Sequence, residues 1–282
     1  MTLPEITDVA IDDPRTRAEL LAFLAPFETQ ALFLIGNLKR SMPGSHLYAV
    51  RDGGRLLAVA GYYDGGRSFV PFAVEPDLPA GAAALAALAL HVAERHQPFE
   101  WVVGPAAMAR PGLAALEARG WRVLNDPRQV FMEHEGLPPP TLHRAQVRGL
   151  TISDHDEVLH LLRWLHAGQD DGRPIEADER RDIEINPERL VLDIGGRIAA
   201  TAATNGLGIR AFQILGVVTH PALRGRGYGG AVVAALMDRL VRQGARRSVL
   251  FTGHDNAPAI RCYERLGFRT TGDFLLAHMA SP

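Results

Sequence analysis

A single cysteine, Cys262, among 282 residues excludes an internal disulfide and any cysteine metal cluster. Lysine is equally scarce: Lys39 is the only one, and arginine supplies every other cation of that class. Together with abundant Ala, Gly and Pro, this reads as base-composition bias. No run approaches the roughly 20 apolar residues that a membrane span needs. The richest stretch, Ala82 to Val92, is short and alanine-dominated and reads as a packed helix. The amino terminus, MTLPEITDVAIDDP, lacks the basic-then-apolar order of a secretory signal. Positive charge is not in excess either: the formal net charge is -2, whereas a general nucleic-acid binder presents a basic domain. The expectation is a cytoplasmic protein without membrane or nucleic-acid partners, which must hold any anionic ligand by a local device. His155, His160 and His166 are spaced by five and six, so no pair shares one helical turn, and no metal site is expected.

What is present is ample apolar material, 47% of the residues, in a chain long enough for two domains of about 140 residues. The order of elements repeats. In the first half, strands at His46 to Arg51, Arg55 to Tyr63 and Ser68 to Val74 surround a turn at Asp52-Gly53-Gly54. A helix at Ala82 to Arg95, a strand at Trp101 to Gly104, a helix at Pro111 to Arg119 and a strand from Trp121 follow. The second half opens with a helix over Asp154 to His166, striped by Val158, Leu161, Leu162 and Leu165. Strands at Leu190 to Ile194, Arg197 to Thr204 and Phe212 to Thr219 come next, then a helix at Gly229 to Arg242. Ser248 to Thr252 is a strand, Pro258 to Leu266 a helix, and Phe268 onward the last strand. Gly136-Leu137-Pro138-Pro139-Pro140 continues neither helix nor strand and reads as a linker. Domains are expected at 1–136 and 141–282. Hairpins joined to helical crossovers imply an α/β fold of α+β character, with mostly antiparallel mixed sheets flanked by helices.

The segment ILGVVTHPALRGRGYGGAVVAALMDRL, Ile214 to Leu240, carries the chemistry. A strand leads through Pro221 into a glycine-rich turn and then a helix. Glycines 225, 227, 229 and 230 leave main-chain N–H groups uncovered. The helix start adds partial positive charge, and Arg224 and Arg226 add formal charge, so the turn suits a phosphate. A nucleotide P-loop would need Lys-Ser or Lys-Thr after the last glycine, where Ala231-Val232 stand. Gly225, Gly227 and Gly230 satisfy G-x-G-x-x-G, but the acidic residue expected about 20 positions later is replaced by Leu250, and too little chain remains for a dinucleotide fold.

Arg224, Gly227 and Gly229 also satisfy R-x-x-G-x-G, and Asn256 to Phe268 (NAPAIRCYERLGF) satisfies N-x-x-A-x-x-x-Y-x-x-x-G-F. In these two motifs, and over about Leu150 to Leu276, the chain resembles the GCN5-related N-acetyltransferase (GNAT) superfamily. The first half resembles it by element order and by Leu116 to Trp121, which lacks the tyrosine, so the whole looks like two tandem acyl-coenzyme A N-acyltransferase-like domains, the first degenerate. The resemblance implies acetyl-coenzyme A as co-substrate and a small-molecule, peptide or protein amine as acceptor. It implies that the amides of Gly225, Arg226, Gly227, Tyr228, Gly229 and Gly230 bind pyrophosphate beside Arg224. The backbone of Val217, Val218 and Thr219 would pair with the pantetheine arm, and an amide near Val218 would hold the acetyl oxygen. Asn256 would contact the cofactor, and Tyr263 would return a proton to the departing thiolate. His254 is a candidate base for the amine; Asp193 and Asp255 are weaker ones.

Other readings stand beside these. Tyr263 and Cys262 suit a packed helix, Asn256 suits a helix cap before Pro258, and His220 and His254 suit structural positions at strand ends. A non-catalytic acyl-coenzyme A sensor, or transfer of a longer acyl or aminoacyl group, also fits the motifs. In the first half, the place of the phosphate turn reads Glu75 to Gly81 (EPDLPAG), with two acids, two prolines and no arginine, and is expected not to bind coenzyme A. Acceptor choice is expected to lie in Gly168 to Asn186 and on surfaces of the first half.

Overall fold

The helix-and-hairpin order read from the sequence is present in the chain's computed structural model, which describes residues 5–125, 128–164, 183, 186 and 188–282. Most of the segment 168–186 assigned to acceptor choice, and His166 at the end of the expected helix, lie outside the described residues.

The first stretch of chain runs β1 (Ile6–Asp8), α1 (Pro14–Leu24), α2 (Leu32–Arg40), β2 (Ser45–Asp52), β3 (Arg55–Tyr63) and β4 (Ser68–Ala73). It continues with α3 (Pro79–Arg95), β5 (Trp101–Pro105), α4 (Ala106–Glu117), β6 (Arg122–Val123) and β7 (Arg128–Glu135). Next come β8 (Val147–Gly149), α5 (His155–Arg163), β9 (Leu190–Asp193), β10 (Ile198–Ala203), β11 (Ala211–Gln213) and β12 (Leu215–Thr219). The chain ends with α6 (Tyr228–Arg242), β13 (Arg247–Gly253), α7 (Ala257–Arg265) and β14 (Arg269–Ala280).

Two compact units form, and they are not consecutive halves. Unit 1 comprises Met1–Met132, Phe251–Asp255 and Thr270–Pro282; unit 2 comprises Glu133–Leu250 and Asn256–Arg269. In unit 1, β1 to β4 form an antiparallel meander, β4 pairs parallel with β5, and β5 pairs antiparallel with β14 from Pro105↔Phe274 to Trp101↔His278. The last strand, which element order assigned to the second half, therefore supplies the neighbour of β5. Its main chain satisfies an edge that would otherwise stand open.

Apolar residues alternate between the two faces of this sheet, as period-2 strands require. Phe69 and Val102 meet Leu85, Leu88 and Val92 of α3 on one face, while Val59 and Phe72 meet Leu20, Leu24, Leu34 and Ile35 of α1 and α2 on the other. Pro111 was expected to open a helix, but α4 begins five residues earlier, at Ala106, and contains the proline. Gly112 beside it packs against Ala89 of α3, at a distance of 2.9 Å from where a Cβ would stand. The helix thus runs through the proline against local propensity, on a face packed closely on α3.

Unit 2 holds the antiparallel order β12-β10-β9-β8 and the parallel pair β11–β13. The third strand, expected to run unbroken over Phe212 to Thr219, is divided. Ile214 donates to Val249 O at 2.9 Å, whereas the next residues pair with β10. The register between β10 and β12 shifts between Thr201 and Ala203, opposite Gly216, whose φ is +58°. Val158, Leu161, Val191, Ile198 and Val218 form the core beneath α5. Among the described residues, no helix is long and apolar enough to cross a membrane.

Candidate active site

Division of the third strand creates an edge. β11 follows β13, β12 follows β10, and β12 is the last strand in its order, so among the described residues its outer side has no strand neighbour. Thr201 faces Val218, Ala200 faces Thr219, and His220 donates to Ala199 O at 2.9 Å. Hydrogen-bonded and non-bonded pairs alternate in an antiparallel ladder. The main-chain groups of Val218 therefore turn toward β10, and those of Thr219 turn to the open edge, followed by alternation by Val217. The amide expected near Val218 thus belongs to a neighbouring residue, because the register assigns Val218 to the sheet.

From Thr219 the chain passes through a single 3₁₀ turn at Pro221–Leu223, where His220 Nδ1 accepts from the Ala222 N–H at 3.3 Å. His220 is a structural cap. Arg224 is extended and exposed, and its Nε donates to Thr219 O at 3.4 Å. Gly225 and Gly227 then take φ values of +79° and +81°. Any side-chain-bearing residue would adopt that conformation at a cost of about 1–2 kcal/mol, which is why glycine stands at both places.

Gly227 is the N-cap of α6 and offers no capping side chain. The first helical bond runs from Ala231 N–H to Gly227 O at 3.0 Å, so the amides of Tyr228, Gly229 and Gly230 precede the helical ladder. They point their partial positive charge out of the helix end. No acid stands in the first turn, and Arg224 to Gly227 are exposed. A diphosphate fits this donor set on physical grounds. The Tyr228 ring is not part of it: the side chain is buried edge-on against His143, with centroids 4.8 Å apart, leaving only its main chain available.

The start of α6 abuts the edge strand and α7. A Cβ on Gly229 would stand 3.1 Å from Thr219 Oγ1, and one on Gly230 would stand 3.4 Å from Cys262 Sγ. Cys262 and Tyr263 both lie on α7, whose N-cap Asn256 accepts from the Ala259 N–H at 3.3 Å. Asn256 is exposed while it caps the helix. Tyr263 is 7% exposed, its ring edge-on to Phe268 with centroids 5.9 Å apart. Burial, with a smaller contribution from Cys262, raises its pKa well above that of a free phenol. It remains a protonated donor across the neutral range. Burial raises the Cys262 thiol pKa too, which disfavours a thiolate nucleophile.

The candidate bases separate. Asp193 Oδ2 accepts from Arg148 Nη2 at 2.8 Å, and its Oδ1 accepts from the Gly196 N–H at 2.8 Å. The same guanidinium binds Asp154 at 2.6 Å and 2.9 Å. Hydrogen bonding to Arg148 lowers both carboxyl pKa values, that of Asp154 to well below the usual carboxylate range. Asp193 is thus a weak base that closes the turn between β9 and β10. His254 belongs to unit 1, exposed, with Nε2 3.2 Å from Asp273 Oδ1. Asp255 follows it and folds back over Gly253, where a Cβ would meet its Oδ1 at 2.6 Å.

The corresponding turn of the first half is closed. Leu78 N–H donates to Glu75 O at 3.2 Å, and a Cβ on Gly81 would collide with that same carbonyl oxygen. The chain's own carbonyl occupies the approach to the start of α3.

The Acetyltransferase (GNAT) family matches residues 155–268. An acetyltransferase of Yersinia enterocolitica is 32% identical over 136 residues, spanning 46% of this chain and 92% of that protein. The chain belongs to the GNAT acetyltransferase family. A mycothiol acetyltransferase of Corynebacterium aurimucosum is 49% identical to this GNAT protein over 45 residues, 16% of this chain and 15% of the other. The fold extends over both halves: a tandem GNAT protein from the clavulanic acid biosynthesis pathway superposes with a TM-score of 0.57 at 18% identity, covering 98% of each chain. GNAT membership supports acyl-group transfer, for which the family generally uses an acyl-coenzyme A.

Proposed function

We propose that this GNAT protein is a cytoplasmic N-acetyltransferase that moves an acetyl group from acetyl-coenzyme A to a primary amine by direct attack. The observation that carries the reading is the juxtaposition of uncapped amides at the start of α6 with the open edge of β12, joined at Gly229 and Thr219. The amides of Gly225 to Gly230, with Arg224 and Arg226, take the pyrophosphate. The outward main chain of Val217 and Thr219 pairs with the pantetheine arm, and an edge amide stabilises the acetyl oxygen. Asn256 contacts the donor from the start of α7.

In the reaction the amine nitrogen bonds to the thioester carbonyl carbon and the carbon–sulfur bond breaks. Tyr263 gives its phenol proton to the departing thiolate. A buried phenol that stays protonated is suited to that task. The proton lost by the amine passes to a base or water; Arg148 holds Asp193 as a poorly basic anion, which leaves His254 as the candidate.

The test is release of free thiol from acetyl-coenzyme A against a panel of amines. Stoichiometric thiol and acetylated amine support the proposal. Binding of the donor without turnover on any amine identifies a sensor instead, and absence of donor binding by calorimetry rejects both.

A further inference from the structure

Three side chains of ligand type, far apart in sequence, converge in unit 1. His46 lies near the start of β2, Asp64 directly follows β3, and His96 ends α3. One nitrogen of each ring and one carboxylate oxygen all lie within 4.8 Å of one another. We infer that His46, Asp64 and His96 form a binding site for one divalent transition-metal ion of the zinc type, with water completing its shell.

The donor set decides the class of ion. Two imidazoles and a carboxylate suit zinc and its first-row neighbours, whereas calcium and magnesium take oxygen ligands. Metal–ligand bonds of about 2.0–2.1 Å place neighbouring donor atoms about 3 to 3.4 Å apart. His46 Nε2 already stands 3.0 Å and 3.1 Å from the two oxygens of Asp64. The His46 and His96 rings have centroids 4.5 Å apart, so a modest side-chain rotation closes the third approach.

The supporting contacts hold the ligands in place, as outer partners do in metal sites. Tyr48 Oη lies 2.6 Å from His96 Nε2 and anchors that edge of the ring. The Tyr62 ring stacks on His96 with centroids 4.3 Å apart and planes at 19°, and its hydroxyl donates to Pro98 O at 2.6 Å. Asp64 is fixed through its N–H to Gly44 O at 2.9 Å. The side chains of His46 and Asp64 are 41% and 56% exposed, leaving a path for the ion from solvent and room for water.

This site is independent of acyl transfer, so either reading can fail alone. The test uses the untagged full chain, stripped with chelator and titrated with Zn²⁺ by calorimetry, with Co²⁺ absorption as a second probe. One equivalent is expected at neutral pH. The His46→Gln, His96→Gln double variant should remove it, and Asp64→Asn should weaken it at least tenfold. The thermal midpoint should rise with Zn²⁺ in the native chain only. No stoichiometric uptake, or equal affinity in the double variant, overturns the assignment. If the double variant does not fold, unchanged affinity in Asp64→Asn, a change at an exposed residue, overturns it as well.

Discussion

Gly229 lies so close to Thr219 that a Cβ there would stand 3.1 Å from the threonine Oγ1. This contact ties the helix start to the strand edge. Gly229→Ala should force them apart by a few tenths of an ångström and weaken coenzyme A binding about tenfold, roughly 1.4 kcal/mol. Calorimetry checks it, and Thr219→Ser in the same chain should leave affinity near native. Equal affinity of Gly229→Ala and native protein would show that the close approach is immaterial to the ligand.

Tyr263→Phe keeps the buried ring and removes the proton donor. We expect kcat to fall about 10²–10⁴-fold, the usual contribution of a positioned acid, with donor affinity nearly unchanged. The pH profile carries a second signature. A phenol donates only while protonated, and burial raises its pKa. Its loss of function must therefore appear above the ordinary phenol pKa of about 10, not below it. An alkaline fall assigned to Tyr263 at lower pH would contradict its burial.

Arg148 is shared by Asp154 and Asp193. Asp154 is 6% exposed, so Arg148→Met, which strips its partner, should destabilise the protein by about 1–3 kcal/mol in denaturant titrations. The sign with pH follows from the depressed carboxyl pKa. Its contribution is present above the unfolded carboxyl pKa, about 3.9, and is lost as pH falls toward the folded value. In Arg148→Met that acid-dependent loss should shrink.

Asp193→Asn and His254→Gln separate the candidate bases. Asp193 is engaged by Arg148 and Gly196, so its amide should retain most of the turnover. His254→Gln should lower kcat and leave donor affinity unchanged where the imidazole accepts the amine proton. Native turnover in His254→Gln would assign the proton to water.

The motifs were legible because their chemistry is local. Gly225, Gly227 and the start of α6 lie within a few residues of each other, and Asn256 caps the helix that carries Tyr263. What failed to show was decided by distant partners. The break at Ile214 depends on which neighbours, β13 or β10, claim successive residues; Gly216, isolated within Phe212 to Thr219, signals an irregularity there but not the change of partner. Pro111 misled because Gly112 packs on Ala89, a contact beyond the reach of propensity. His46, Asp64 and His96 are separated by eighteen and thirty-two positions, so a search along one helix misses their convergence.

Thr270–Pro282 grouping with unit 1 has a consequence for biosynthesis. The ribosome delivers the meander long before the strand that pairs with β5. Until residue 280 has emerged, a nascent chain presents the β5 edge bare, exposed to any passing strand. Premature stop codons within β14 should thus yield aggregates rather than shortened proteins, although every residue of the glycine-rich turn has already been made.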